Sequence, residues 1–444
     1  MSLYFFTFNL LTRHSDYFFL RLLDNRLRKG KELPERIHEK QGISKLDRPP
    51  GQLVWLHAAS IGEAQSALIL IDRLNERTPD LNILVTTGTV TSARVLEDKL
   101  PKNAIHQFYP LDHPEWVKSF LDNWSPDLVL WLESELWPNM LHEIRERRIP
   151  AALINARMSP RSYRLWRLAR PLARQALDTF EIILAQTAED AERLTSLRAK
   201  NITVTDNLKY SAKPLTCDPD QRETLQKEIG KRPLWLFAST HKGEEEMATR
   251  LHVILKKHLP GLLTIIVPRH PERRDDIKTA LADYDVAVSF RGEKKHPPNP
   301  QDDLYIADTL GELGLFYSLC PLACIGRSFS DDGGGGHNPL EAAQRGCVVL
   351  HGPNIQNLRQ IYDEMDGYGA ALRVAHESAM TGTLLDLLKD PSRIKALQEK
   401  GLQFSKEKAG VIEKVMSTLE PLLQKTGIGT EENEDFPEPK RTCG

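Results

Sequence analysis

Cysteine is scarce in this 444-residue chain. The five residues, Cys217, Cys320, Cys324, Cys347 and Cys443, form no CxxC pair and no zinc-type spacing. That argues against a disulfide scaffold or a cysteine-based metal module and fits free thiols in a reducing compartment. Net charge is nearly absent too, at a formal −2, so bulk electrostatics predict no nucleic-acid partner. The histidines His57, His241, His270 and His337 are scattered, without HxH or HxxxH spacing, and no metal site is expected. No Gly-Lys-Ser/Thr follows the chain's one glycine run, and no GxGxxG follows its first apolar strand, which removes the two common nucleotide fingerprints. Long apolar runs are missing. The richest stretch, residues 3–23, carries Phe5, Phe6, Phe8, Phe18 and Phe19 but is broken by Arg13, His14, Ser15 and Asp16. It makes a poor match to the roughly 20 apolar residues of a spanning helix, and it lacks the h-region and cleavage site of a signal peptide.

What remains is a globular composition, 40% hydrophobic and 27% charged, in a chain too long for one core of about 250–300 residues. Two domains are therefore expected. Arg26, Arg28, Lys29 and Lys31 follow the aromatic N-terminus, a pattern that suits an interfacial anchor on an anionic leaflet; the alternative is a helix packed on the body. Short apolar runs at 53–58, 83–87, 128–132, 151–155, 182–185 and 202–205 read as buried strands separated by helix-length segments. A second series follows at 234–239, 263–267, 286–289, 304–307, 322–325 and 348–351. Strand–helix alternation predicts α/β architecture: two doubly wound parallel-sheet, Rossmann-like domains facing across a cleft. The boundaries read as a membrane-associating segment over 1–42, a first domain over 43–208 and a second over 209–390. Terminal helices over 391–426 and a disordered tail over 427–444 complete the chain. Residues 209–231, with Pro214 and Pro219, read as the linker.

Several clusters fall just after strands. His57-Ala58-Ala59-Ser60-Ile61-Gly62-Glu63 turns a strand into a helix, where Glu63 is either a helix cap or a base at the mouth of a cleft. Glu133-Ser134-Glu135-Leu136-Trp137-Pro138-Asn139 places two carboxylates past a strand end, for sugar hydroxyls or a cation, or simply for capping. Asp332 and Gly333–Gly336, followed by His337, Asn338, Pro339, Leu340 and Glu341, read as a phosphate-facing loop backed by a helix N-terminus. Arg269, after residues 263–267, suits a phosphate or a base. Ser159 and Pro160 begin a helix with Arg161, Arg164, Arg167, Arg170 and Arg174 on one half and Leu165, Ala169, Leu172 and Ala176 on the other. Five arginines without an intervening acid suit anionic lipid or lipid phosphate better than a solvated face.

These residues resemble the bacterial 3-deoxy-D-manno-octulosonic acid (Kdo) transferases. The resemblance runs from about Pro34 to about Tyr362 and is carried, in order, by eight segments. They are residues 57–63, 133–139, Asn155-Ala156-Arg157, Asn207-Leu208-Lys209, Ala238-Ser239-Thr240-His241, Pro268-Arg269-His270-Pro271-Glu272-Arg273, Gly311-Glu312-Leu313-Gly314 and residues 335–341. It implies a GT-B-like fold and inverting, metal-independent transfer of Kdo from CMP-Kdo to the lipid A precursor, with no cofactor, at the cytoplasmic face of the inner membrane. Glu63 matches the family's general base, and Glu133 and Lys209 match positions that stabilise the transition state. Pro268, Arg269, Gly311, Glu312, Leu313, Asn338, Pro339, Leu340 and Glu341 match the CMP-binding segments. The chain departs from the family where Asp206 replaces a usual glycine, where the glycine run is longer and preceded by Asp331 and Asp332, and where Ala342 replaces a frequent proline. Two other readings are carried forward: another GT-B-fold nucleotide-sugar enzyme such as an epimerase, and a non-catalytic protein bound to a membrane surface.

Overall fold

The computed structural model describes residues 2–97, 99–293, 295–330 and 332–429. Asp331, Cys443 and most of the expected tail, residues 430–444, lie outside the described residues. The chain divides into two compact units, Met1–Ala212 together with the chain from Gly410, and Lys213–Ala409.

The first unit is built on seven parallel strands: β1 (Leu53–His57), β2 (Asn82–Thr87), β3 (Ala104–Phe108), β4 (Leu128–Leu132), β5 (Ala151–Ala156), β6 (Ile182–Ala185) and β7 (Ile202–Val204), in the order β3-β2-β1-β4-β5-β6-β7. The central β1 and β4 are buried along their whole length, as expected for strands covered by helices on both faces. Trp55, Trp124 and Trp131 fill the core beside them. The chain moves outward from β1 through β2 to β3, and in the other direction from β4 to β7, so the topological switch lies between β1 and β4. Ligands of such sheets bind beyond the strand carboxyl ends at that point.

The second unit repeats the plan with β8 (Leu234–Thr240), β9 (Leu263–Pro268), β10 (Val288–Phe290), β11 (Leu304–Ile306), β12 (Leu322–Ile325), β13 (Val348–His351) and β14 (Ala371–Arg373), ordered β10-β11-β9-β8-β12-β13-β14. Its switch lies between β8 and β12. The expected doubly wound α/β class is therefore observed in both units. Two edge strands, β3 and β14, were not anticipated. The expected linker, residues 209–231, contains the boundary between the units at Ala212 and Lys213, but it also holds the helix Pro219–Ile229, capped by Asp218 through the backbone N–H groups of Asp220 and Gln221. The terminal helices are shared out. Pro391–Ala409 belongs to the second unit, whereas Val411–Lys425 returns to the first. There Glu420 accepts from Arg77, and Lys425 meets Glu181 at 2.8 Å.

Residues 3–28 form two helices, Leu3–Arg13 and Asp16–Arg28, and no helix among the described residues is long and apolar enough to cross a membrane. The first helix docks on the unit through Phe5, Ser2 against Gln175 (2.9 Å) and Asn9 against Asn139 (2.9 Å). Both helices also expose large apolar side chains, among them Leu3, Phe6, Leu11, Tyr17 and Phe18. The single basic helix expected from 160 onward is two, Pro160–Leu168 and Arg170–Leu177. Pro171 has no N–H to give to residue 167 and its ring crowds that residue's carbonyl, and Ala169 breaks at φ −111°, ψ 41°. Ser159 caps the first helix as expected, accepting from Ser162 N–H at 3.1 Å. That helix buries none of its residues. Leu165 and Leu168 are 61% and 81% exposed, so their apolar side faces outward rather than into a core.

Candidate active site

Glu63 stands in the first turn of the helix Ile61–Arg77, directly after β1. Ser60 caps that helix by accepting from Glu63 N–H at 3.3 Å, and the Glu63 carboxylate reaches back to accept from Ala59 N–H at 2.5 Å. This is a reciprocal cap shifted by one residue, so the capping geometry is present. Capping alone does not account for the burial. Glu63 is 5% exposed, and its carboxyl is pushed up to about 8, first by burial and then by the negative charges of Glu133 and Glu135; the Ala59 and Ser60 hydrogen bonds oppose the rise.

Glu133 follows β4, across the switch from Glu63, and holds a left-handed backbone at φ 61°. Its Oε1 lies 3.4 Å from Lys209 Nζ and 3.5 Å from Asn155 Nδ2. Lys209 was expected in the second domain, yet it belongs to the first unit. Two asparagines hold it there. Asn207 caps the short turn Leu208–Ser211 by accepting from Lys209 N–H at 3.1 Å, and Asn155, itself at φ 55°, accepts from Leu208 N–H at 2.9 Å. Lys209 Nζ also lies 3.0 Å from where a Cβ on Gly62 would sit. The Glu63 turn, Glu133 and Lys209 are thus neighbours. Asp206 takes φ 68°, the conformation that favours glycine and that aspartate tolerates better than most residues. The departure from glycine therefore preserves the turn. Glu135 is half-buried, its carboxyl raised by burial and held by Trp137 Nε1 at 3.0 Å.

In the second unit, Pro268 ends β9 and Arg269 is exposed, with its N–H donated to Thr240 O at 3.0 Å. Arg273 of the same segment turns inward to Glu245 at 2.9 Å. Gly311 takes φ 80° and opens the turn into Leu313–Leu319. The Glu312 side chain is already occupied: it accepts from Arg291 at 2.7 and 2.8 Å, and Arg291 is 2% exposed. What the 311–313 turn offers a ligand is therefore backbone. Asn338 accepts from Leu340 N–H at 3.2 Å and approaches Glu341 at 3.4 Å, which fixes the start of the helix Leu340–Gln344 after Pro339.

Three backbone N–H groups in and beside the glycine run are already engaged. Gly334 N–H is donated to Asp332 (2.9 Å), Gly336 N–H to Asn354 O (2.8 Å) and His337 N–H to Gly326 O (3.3 Å). The run is also closely packed. A Cβ at 334, 335 or 336 would collide with the Arg327 guanidinium, the backbone at 355–357 or the Tyr362 hydroxyl. The segment 239–244 lies at the end of a strand, as its sequence suggests, but the role of Glu244 is visible only in the fold: 2% exposed, it accepts from the N–H groups of His241 (2.9 Å), Arg327 (2.8 Å) and Phe329 (3.2 Å) and so ties the loops after β8 and β12 together. Burial raises it to about 7. His241 and His337 meet at 3.0 Å between Nε2 atoms. Among the described residues, no three His, Cys, Asp or Glu side chains converge as they would around a metal ion.

Two doubly wound units, each with charged turns at its switch point, define the architecture of GT-B glycosyltransferases and nucleotide-sugar epimerases. The described chain is similar to the UDP-GlcNAc 2-epimerase of Neisseria meningitidis (TM-score 0.55, 15% identity, covering 84% of this chain and 100% of that one), a likeness of fold alone. Sequence goes further. Residues 31–212 match the family described as 3-deoxy-D-manno-octulosonic-acid transferase (kdotransferase). The 3-deoxy-D-manno-octulosonic acid transferase of Rickettsia bellii is 33% identical over 94% of this chain and 98% of its own length. That of Haemophilus influenzae is 30% identical over 88% and 92%. The chain belongs to the 3-deoxy-D-manno-octulosonic acid transferase family, and it is a glycosyltransferase.

Proposed function

We propose that this enzyme moves Kdo from CMP-Kdo to a lipid A precursor at the cytoplasmic face of the inner membrane, with inversion at the anomeric carbon and without a metal or cofactor. A sugar hydroxyl of the acceptor attacks, its proton passes to Glu63, the anomeric C–O bond to phosphate breaks, and CMP leaves. The observation that carries this reading is the Glu63 carboxyl, buried and raised to about 8. An alcohol is a weak nucleophile at neutral pH, and a base with its pKa near the working pH is the most effective proton acceptor. Lys209 beside Glu133 supplies positive charge for the carboxylate of Kdo or the charge that develops in the transition state. In the second unit, the exposed Arg269, the backbone of Gly311, Glu312 and Leu313, and the turn Asn338, Pro339, Leu340 and Glu341 are the groups that would hold CMP.

Membrane contact is supported by the outward apolar residues of Leu3–Arg13 and Asp16–Arg28, and by Leu165 and Leu168 on the helix that carries Arg161, Arg164 and Arg167. The test is incubation of the purified protein with CMP-Kdo and lipid A precursor. CMP should appear only when acceptor is present, together with a heavier lipid. Turnover of a nucleotide sugar without acceptor would instead favour an epimerase, the reading to which the fold likeness alone would lead.

A further inference from the structure

Lys40 lies in the turn-rich segment Pro34–Gln41 ahead of β1 and is 3% exposed. Burying an ammonium is costly unless a partner repays it. The nearby carboxylates are engaged elsewhere. Glu39 accepts from Arg36 at 2.7 and 2.8 Å and from Phe108 N–H at 2.7 Å, while Glu32 accepts from Arg26 at 2.6 Å. Among the described residues Lys40 Nζ donates one hydrogen bond, to Gly88 O at 2.9 Å, and lies 5.0 Å from the centroid of the Phe108 ring. Its backbone is pinned as well, because Leu111 N–H donates to Lys40 O at 2.9 Å.

The bond to Gly88 leads somewhere. Gly88 N–H donates to Ala59 O at 3.1 Å, and Ala59 N–H donates to Glu63 Oε2 at 2.5 Å. Gly88 also sits so close that a Cβ there would lie 2.9 Å from Ala59 O. Three consecutive links therefore join a buried cation in one segment to the base in another. A methionine would fill the same space more cheaply if packing were the only need. We propose that Lys40 is a positioning residue for the base: through Gly88 and Ala59 its ammonium fixes the turn that presents Glu63. The inference rests on the reading of Glu63 as the base.

Its consequence for the carboxyl has a definite sign. Glu63 faces Glu133 and Glu135, with Lys209 against Gly62, and Lys40 faces Glu32, Glu39, Glu135, Arg26, His57 and His106. The Ala59 N–H lowers the Glu63 pKa, so a loosened turn leaves it higher. The experiment compares Lys40→Met, Lys40→Arg, Gly88→Ala and Glu63→Gln in the full-length enzyme, with folding followed by circular dichroism. Lys40→Met is expected to lower kcat by ~10-fold or more, with acceptor KM little changed and the acid limb of kcat/KM moved to higher pH. Lys40→Arg should recover most of the rate. Gly88→Ala, which strikes the middle link and leaves every charge in place, should reproduce the loss of kcat and serves as the test if Lys40→Met does not fold. Folded Lys40→Met or Gly88→Ala with wild-type kcat and an unmoved acid limb would overturn the proposal while Glu63→Gln is inactive. An active Glu63→Gln would instead remove the reading on which it rests.

Discussion

A carboxyl raised from its ordinary 4.5 to about 8 has two measurable faces. In the proposed role of base Glu63 must be ionised, so kcat/KM should climb as pH rises through about 8. Stability runs the other way. The folded state binds its proton more tightly than the unfolded chain, so the Glu63 contribution is fully present below about 4.5 and is lost as pH rises through about 8. Glu63→Gln, locked neutral, should lose ~10²–10⁴-fold in kcat yet melt higher than wild type, with the gap widening between pH 5 and pH 9 in thermal scans. Asn155 carries a different burden. Its side chain holds Leu208 N–H and approaches Glu133 from a left-handed backbone. Asn155→Ala should cost about 2–3 kcal/mol in denaturant unfolding and, by releasing Lys209, lower kcat as well.

At the scale of elements, sequence motif and structural role can part. Glu312 sits in the turn proposed to hold CMP but is clasped by the buried Arg291. Glu312→Ala should therefore destabilise by roughly 3–5 kcal/mol, because it strands a buried cation. Arg269→Ala, at an exposed guanidinium, should weaken CMP binding in calorimetry and leave the melting temperature nearly unchanged. The helix Pro160–Leu168 gives the matching test for the membrane. Leu165→Ser with Leu168→Ser removes outward side chains and should reduce binding to anionic vesicles without loss of stability.

Elements were legible where burial was continuous. β4 and β12 are uninterrupted apolar runs, and β1 and β8 are apolar up to Leu56 and Ala238. The edge strand β3, with His106 and Gln107, and the three-residue β14 carry no such run, since an edge strand is covered less completely than a central one. The basic helix was read with the right residues and the wrong continuity: Pro171 outweighed the amphipathic period.

For the molecule as a whole, the repetition of strand and helix sufficed to predict two parallel-sheet units, because each strand in such a sheet must be apolar on both faces. The placement of Lys209 beside Glu133 was not legible from local pattern, since 76 residues separate them and only the order of strands β4 to β7 brings them together. The same holds for Lys40, whose charge looks like any surface lysine until the fold buries it, and for Glu244, which joins two loops far apart in the chain. The glycine run shows the converse. Its composition suggests an anion cradle, and the structure adds a packing reason for Gly335, where a Cβ would meet the backbone at 355–357.

The central claim is that a buried carboxylate on the first unit draws the proton from an acceptor hydroxyl during Kdo transfer. Mass spectrometry of the lipid formed from CMP-Kdo and lipid A precursor, with wild type and with folded Glu63→Gln side by side, tests it most directly. The account predicts acceptor heavier by whole Kdo units for wild type and unmodified acceptor for Glu63→Gln. Equal amounts of Kdo-bearing lipid from both enzymes would contradict it.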